Sequence, residues 1–204
     1  AMMGFLLFQA APKHILMVGL GGGSLVKYCY RNFPAARITV LELHAEVIAL
    51  RDQFMIPADD QRLQVIHADA AAYMQARPEN SVDVVMLDGF SADGPASELN
   101  TSGFYKACLR SLTPQGVLVS NLWDRPTPAV PAIAQALLGT DWRIWWCRTE
   151  DSHNYIAFFV KGNDAGVFRP VVLNRAQKLD QRFDLRLSEL VPSFQLVKHL
   201  SEEA

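Results

Sequence analysis

The chain has 204 residues, half of them hydrophobic and a fifth charged, a size and balance at which one domain buries a full core without disulfide or metal staples. Nineteen Lys and Arg face 21 Asp and Glu, giving a net charge of −2 with no dense basic run, so no nucleic acid and no anionic membrane is indicated as partner, and a small molecule is expected. Cys29, Cys108 and Cys147 are odd in number and lack C-x-x-C spacing, which suggests neither a disulfide framework nor a zinc site and fits a reducing cytoplasm.

Met2 to Phe8 is apolar, yet too short to span a bilayer and without the basic start or cleavage site of a signal peptide; it reads as a buried helix or strand end. Because the chain opens inside this run, a preceding segment is expected. His14 to Gly19 then reads as a strand buried on both faces, Ser24 to Phe33 as a helix that Pro34 ends, and Arg37 to Glu42 as a second strand. The alternation continues with a helix over Ala45 to Phe54, a strand over Leu63 to His67, a helix over Ala70 to Ala76 and a strand over Val82 to Leu87. Ser102 to Leu112 follows as a helix and Gly116 to Asn121 as a strand. This succession predicts a doubly wound parallel sheet. Pro131 to Leu138 reads as helical. Trp142 to Cys147 and Tyr155 to Val160 read as strands that pair antiparallel, because only a short loop separates them. The expected organisation is one domain over residues 1–162 with a C-terminal extension, 163–204, packing on it through a helix near Arg175 to Leu187.

In an open α/β sheet a ligand sits outside the carboxyl ends of the strands, so the residues that follow each strand carry the information. Gly19, Gly21, Gly22 and Gly23 follow the first strand, where missing side chains let the backbone turn tightly and approach a ligand. A dinucleotide G-x-G-x-x-G would need glycine where Ser24 stands. Glu42 closes the second strand, where an acid can accept both hydroxyls of an adenosine ribose, with Leu43 beside it. Asp69 follows the third strand and Asp88 the fourth. Three acids on successive strand ends beside a glycine loop suit S-adenosylmethionine or a related nucleoside: Asp69 at the adenine amino group, Asp88 toward the sulfonium.

From Asp88 the sequence runs Asp88-Gly89-Phe90-Ser91-Ala92-Asp93-Gly94-Pro95-Ala96, and with the preceding motifs and Phe104-Tyr105 it resembles the spermidine synthases. These are aminopropyltransferases that use decarboxylated S-adenosylmethionine. The resemblance implies a Rossmann-like, seven-stranded methyltransferase fold with the last strand antiparallel. It also implies that Asp88 is the catalytic base, that Glu42 holds the ribose and Asp69 with Ala70 the adenine, that Gly89, Pro95 and Ala96 line the nucleoside side, and that Ser91 faces an amine substrate, with Asp93 two residues further on joining it if the loop is rebuilt; no metal is expected. The chain departs from the family pattern where a loop aspartate is replaced by Gly22, where the second acid of D-x-x-D is replaced by Ser91, and where a late tyrosine falls on Asp151. The resemblance also implies a small N-terminal β domain that covers the site and makes the dimer; it is not within these 204 residues, either removed or lacking in this protein, and a homodimer is a possible partner arrangement. Three functions stay open: aminopropyl transfer to an amine, methyl transfer from S-adenosylmethionine, and nucleoside binding without chemistry. The five histidines show no metal spacing and are assigned to the surface or to strand ends, with His153 set apart because its loop borders the expected acceptor pocket. Phe90 and Trp123 follow the fourth and fifth strands as candidate pocket walls.

Overall fold

The structure, a computed structural model, describes residues 1–91, 94–95, 97–122, 133, 136–137, 139–148, 154–161 and 169–197. The strands are β1 (His14–Val18), β2 (Arg37–Glu42), β3 (Leu63–His67), β4 (Val82–Leu87), β5 (Phe90–Ser91), β6 (Gly94–Pro95), β7 (Leu112–Leu122), β8 (Trp142–Arg148), β9 (Tyr155–Lys161) and β10 (Gln195–Val197). The helices are α1 (Ser24–Asn32), α2 (Ala45–Ala49), α3 (Ala70–Gln75), α4 (Ser102–Ser111), α5 (Arg169–Phe183) and α6 (Leu187–Leu190). Of the helix expected over 131–138, Ile133, Ala136 and Leu137 are described and are helical.

Eight strands form one sheet in the order β10-β8-β9-β7-β4-β1-β2-β3, and β5 pairs with β6 apart from it. β3, β2, β1, β4 and β7 run parallel; β9 is antiparallel to both β7 and β8. The mostly parallel sheet expected from the sequence is present, and its seventh strand is inserted antiparallel. The expected strand count of seven is corrected to eight by β10, which pairs antiparallel with β8 over three residues. A three-residue strand following a 3-10 turn leaves no periodic run in the sequence from which to infer it.

The chain winds from β1 outward to β3, then returns to β4 on the other side of β1. The order therefore reverses between β1 and β4, and the carboxyl ends of those strands open the crevice where such sheets hold ligands. β1 and β4 are buried on both faces, and the core divides accordingly into two layers. One layer gathers α1, α5 and the 3-10 helix Met2–Leu7, whose Phe5 and Leu6 are fully buried, as the opening apolar run predicts. The other gathers α3 and α4, with Phe104 and Phe159 at its centre.

Helix boundaries differ from expectation where a local backbone feature outweighs periodicity. α2 stops at Ala49 and turns follow to Met55, which sits at φ 53°. α5 starts and ends earlier than the expected Arg175 to Leu187, because Asp184 at φ 51° breaks it. The Asp180 carboxylate then accepts from the Leu187 and Ser188 N–H groups and starts α6. Tyr28 Oη donates to the Phe183 carbonyl at 2.6 Å, and Arg175 Nη1 to that of Leu7 at 2.6 Å, tying this segment to α1 and the N-terminus.

At the opposite, amino end of the sheet, His14 is 6% exposed and its ring lies 3.0 Å from Thr39 Oγ1 and 3.1 Å from the Ser81 carbonyl. Burial, reinforced by the Arg37 and Arg77 guanidinium groups, pushes His14 down to about 4. The unfolded chain thus binds a proton that the folded one refuses between the ordinary histidine value and pH 4. This contribution to stability is present above the ordinary histidine value of 6.5 and is lost progressively as pH falls toward 4. Urea unfolding at pH 7 and pH 4.5 should show this loss in the wild type and a smaller pH dependence in His14→Gln; equal pH dependence would contradict the assignment.

Candidate active site

The loop after β1 continues the ladders on both sides: Gly19 N–H donates to the Leu41 carbonyl and Asp88 N–H to that of Val18. A side chain at Gly19, where φ is +96°, would put its Cβ 2.7 Å from the Asp88 carbonyl oxygen. Glycine is required there by both space and conformation. Gly22 differs. Its φ lies outside the left-handed region, and an added Cβ would meet only the Phe54 ring, at 3.7 Å. Gly21 and Gly22 are exposed at the tip, while Gly23 is buried and caps α1.

Glu42 is 7% exposed. Its Oε2 accepts from the Leu20 N–H at 2.8 Å and its Oε1 from the His44 N–H at 2.9 Å. One carboxylate thereby fastens the glycine loop to the loop after β2. Each oxygen has a second acceptor position, which is what two ribose hydroxyls need. Leu43, beside it, is 54% exposed, an apolar side chain left on the rim. Asp69 is exposed at the start of α3, and its Oδ1 accepts from the Ala71 N–H at 2.8 Å as an N-cap, over the buried Ala70.

Asp88 is half-buried at the end of β4. Its Oδ1 accepts from Asn121 Nδ2 at 2.8 Å, and Asn121 Oδ1 accepts from Asn154 Nδ2 at 3.1 Å. Burial raises the Asp88 carboxyl above the usual carboxylate range, and the Asn121 donor partly offsets it. Neither asparagine was singled out from the sequence as a site residue. The signal was available for Asn121, since it closes the strand expected over Gly116 to Asn121 as Glu42, Asp69 and Asp88 follow or end theirs. Asn154 needed the β7 to β9 register, which sets Leu122 against Tyr155.

Glu42 and Asp88 thus lie against the loop of Gly19, Gly21, Gly22 and Gly23, with Gly89 after Asp88, and Asp69 stands one strand further out at the same carboxyl ends of β4, β1, β2 and β3. Ser91 and Pro95 are described as backbone in the β5–β6 pair, with Ser91 opposite Gly94 and Phe90 opposite Pro95. Asp93, Ala96, Trp123, Asp151 and His153 lie outside the described residues. Among the described residues, no three His, Cys, Asp or Glu side chains come together as a metal ligand set, and no helix is long and apolar enough to cross a membrane.

Residues 1–125 match the spermine/spermidine synthase domain. The polyamine aminopropyltransferase of Chromobacterium violaceum is 31% identical over 94% of this chain and 73% of its own length. The chain belongs to the spermine/spermidine synthase family. Two further aminopropyltransferases, from Neisseria meningitidis, match over 61% of the chain, and there it spans about half (48%) of their length. Among solved structures, human methyltransferase-like protein 13, in complex with SAH, is 25% identical with a TM-score of 0.77, over 91% of this chain and 90% of that one. Thermotoga maritima spermidine synthase is 19% identical with a TM-score of 0.69, over 96% of this chain and 72% of that one, and shares the fold.

The loop geometry gives a contrast that stability measurements can read. Gly19→Ala should cost about 2 kcal/mol or more in urea unfolding, and Gly22→Ala less than about 0.5 kcal/mol. Comparable losses at the two positions would contradict the loop conformation described. Glu42→Gln replaces one of two buried acceptors by a donor facing an N–H, and should cost about 1–3 kcal/mol.

Proposed function

We propose that this chain transfers an aminopropyl group from decarboxylated S-adenosylmethionine to an amine that carries less positive charge than putrescine. The observation that carries this reading is the placement of Glu42, Asp69 and Asp88 around one glycine loop in a member of the spermine/spermidine synthase family. Its fit to the nucleoside rests on the chemistry of the donor set. Glu42 keeps a free acceptor position on each oxygen for the ribose hydroxyls, Asp69 presents a carboxylate toward an adenine amino group beside Ala70, and Leu43 offers an apolar flank. The open space around Gly21, with nothing within 4 Å of an added Cβ, leaves the loop tip clear for a ligand.

The reaction needs an amine with a free lone pair. As the amine nitrogen bonds to the propyl carbon beside the sulfonium, the carbon–sulfur bond breaks, its electron pair stays on sulfur and methylthioadenosine leaves. The proton displaced from the amine goes to Asp88. Burial suits Asp88 to this, because a carboxylate whose basicity is raised holds a proton more readily. Among the described residues the acceptor side is poor in acids: Gly22 and Ser91 stand where the family pattern has carboxylates, and Asp88 meets the neutral amide of Asn121, which in turn meets that of Asn154, while Asp93 is the one further acid the sequence offers to the amine. A dication entering such a site would lose hydration without two opposing charges to replace it, a cost of several kcal/mol.

The experiment is a transfer assay with decarboxylated S-adenosylmethionine and a panel of monoamines and diamines. We expect kcat/KM for putrescine below about 10⁴ M⁻¹s⁻¹ and a monocationic amine to be preferred. Gly22→Asp with Ser91→Asp should raise putrescine turnover, and Gly22 can accept the side chain because its backbone is not left-handed. Efficient putrescine turnover by the wild type would overturn the acceptor assignment. The likeness to human methyltransferase-like protein 13 favours a second reading, methyl transfer from S-adenosylmethionine. Calorimetry separates the two, since a pocket for the decarboxylated compound should bind it at least tenfold more tightly than the carboxylate-bearing one.

A further inference from the structure

Asp88, Asn121 and Asn154 sit on three laterally adjacent strands, β4, β7 and β9, at one edge of the sheet. The register explains why they meet. Leu87 of β4 lies opposite Ser120 of β7, so the next residue on each strand, Asp88 and Asn121, face each other; Leu122 lies opposite Tyr155, which brings Asn154 alongside. The hydrogen bonds run in one direction only. Asn154 Nδ2 donates to Asn121 Oδ1 at 3.1 Å, so the Asn121 carbonyl is committed and its Nδ2 must face Asp88 Oδ1, at 2.8 Å.

We infer that Asn121 and Asn154 form a positioning relay that holds Asp88 Oδ1 and thereby turns Oδ2 to the acceptor amine. The inference rests on the reading of Asp88 as the proton acceptor. A carboxylate at the end of a strand rotates about its terminal bond, and one fixed donor on Oδ1 removes that freedom. An asparagine alone would not supply the constraint, since its amide could turn and oppose its oxygen to the carboxylate. Asn154 blocks that turn by donating to the oxygen. The relay is neutral throughout, so it orients the base without neutralising it as a lysine or arginine would. No charged side chain of the described residues on β1, β4, β7 or β9 adds to or opposes the effect on Asp88; burial and the Asn121 donor are what act on it. The relay also fits a site that handles a singly charged amine, because among the described residues it sets dipoles rather than acids beside Asp88.

The test compares wild type, Asn121→Ala, Asn154→Ala and the double variant by three readouts. Carboxyl NMR with ¹³C-labelled aspartate follows the titration of Asp88 in the free protein. Calorimetry with methylthioadenosine reports whether the site is still built. The pH profile of kcat/KM reports the base in the reaction. Asn121→Ala should raise the Asp88 titration by about one unit, the scale of one hydrogen bond to a charged group, and carry the acid limb of the profile with it. It should lower kcat about tenfold while methylthioadenosine affinity stays within about twofold. Asn154→Ala should move the same quantities in the same direction by less. The double variant should match Asn121→Ala in the Asp88 titration, because the contact of Asn154 with Asp88 runs through Asn121. Asn121→Asp sets a second carboxylate against the first and should raise one of the two titrations further than Asn121→Ala does. An Asp88 titration unmoved in Asn121→Ala, or additive losses in the double variant, would overturn the relay. If the wild type transfers no aminopropyl group, the functional reading fails, whereas the Asp88 titration still decides the relay.

Discussion

The site depends on a buried carboxylate that does two jobs of backbone satisfaction. Glu42 accepts from Leu20 and from His44, so the loop after β1 and the loop after β2 are held to one point. The Leu20 N–H would otherwise be left buried without a partner, and a buried unsatisfied donor costs on the order of 1–3 kcal/mol. The arrangement is made possible by Gly19, where a side chain would strike the Asp88 carbonyl. The loop can therefore lie flat against the end of β4, and the acids of β2 and β4 face the same crevice at the reversal of strand order.

From that geometry follows an uneven distribution of charge. On the side proposed for the nucleoside the strand ends carry Glu42 and Asp69, both engaged with backbone N–H groups that hold them in place. On the side proposed for the acceptor the described residues supply Asp88 and two amides. Membership of the spermine/spermidine synthase family explains the first half, and the second half is where this chain departs from it.

The sequence made the central sheet readable because its strands, buried on both faces, are short apolar runs that end on glycines and acids. β1, β2, β3 and β4 fall within one residue of expectation for that reason, and the resemblance carried by Asp88-Gly89 and Gly94-Pro95-Ala96 led to the family that the comparisons establish. What escaped were features that depend on neighbours far along the chain. β10 exists because β8 offers it a partner, and α5 ends at a left-handed Asp184 that no periodicity announces. The second duty of Glu42 is likewise invisible in sequence, since an acid at a strand end looks the same whether it faces solvent or two backbone amides. Asn121 and Asn154 are 33 residues apart and are joined only by register.

The central claim is that a nucleoside lies across the ends of β1, β2 and β3 with its reacting arm toward Asp88. A crystal structure of the chain with decarboxylated S-adenosylmethionine tests it most directly. The account predicts ribose hydroxyls on Glu42, the adenine edge at Asp69, and the aminopropyl carbon on the Asp88 side of the glycine loop. A ribose bound away from Glu42, or an aminopropyl arm pointing away from Asp88, would contradict it.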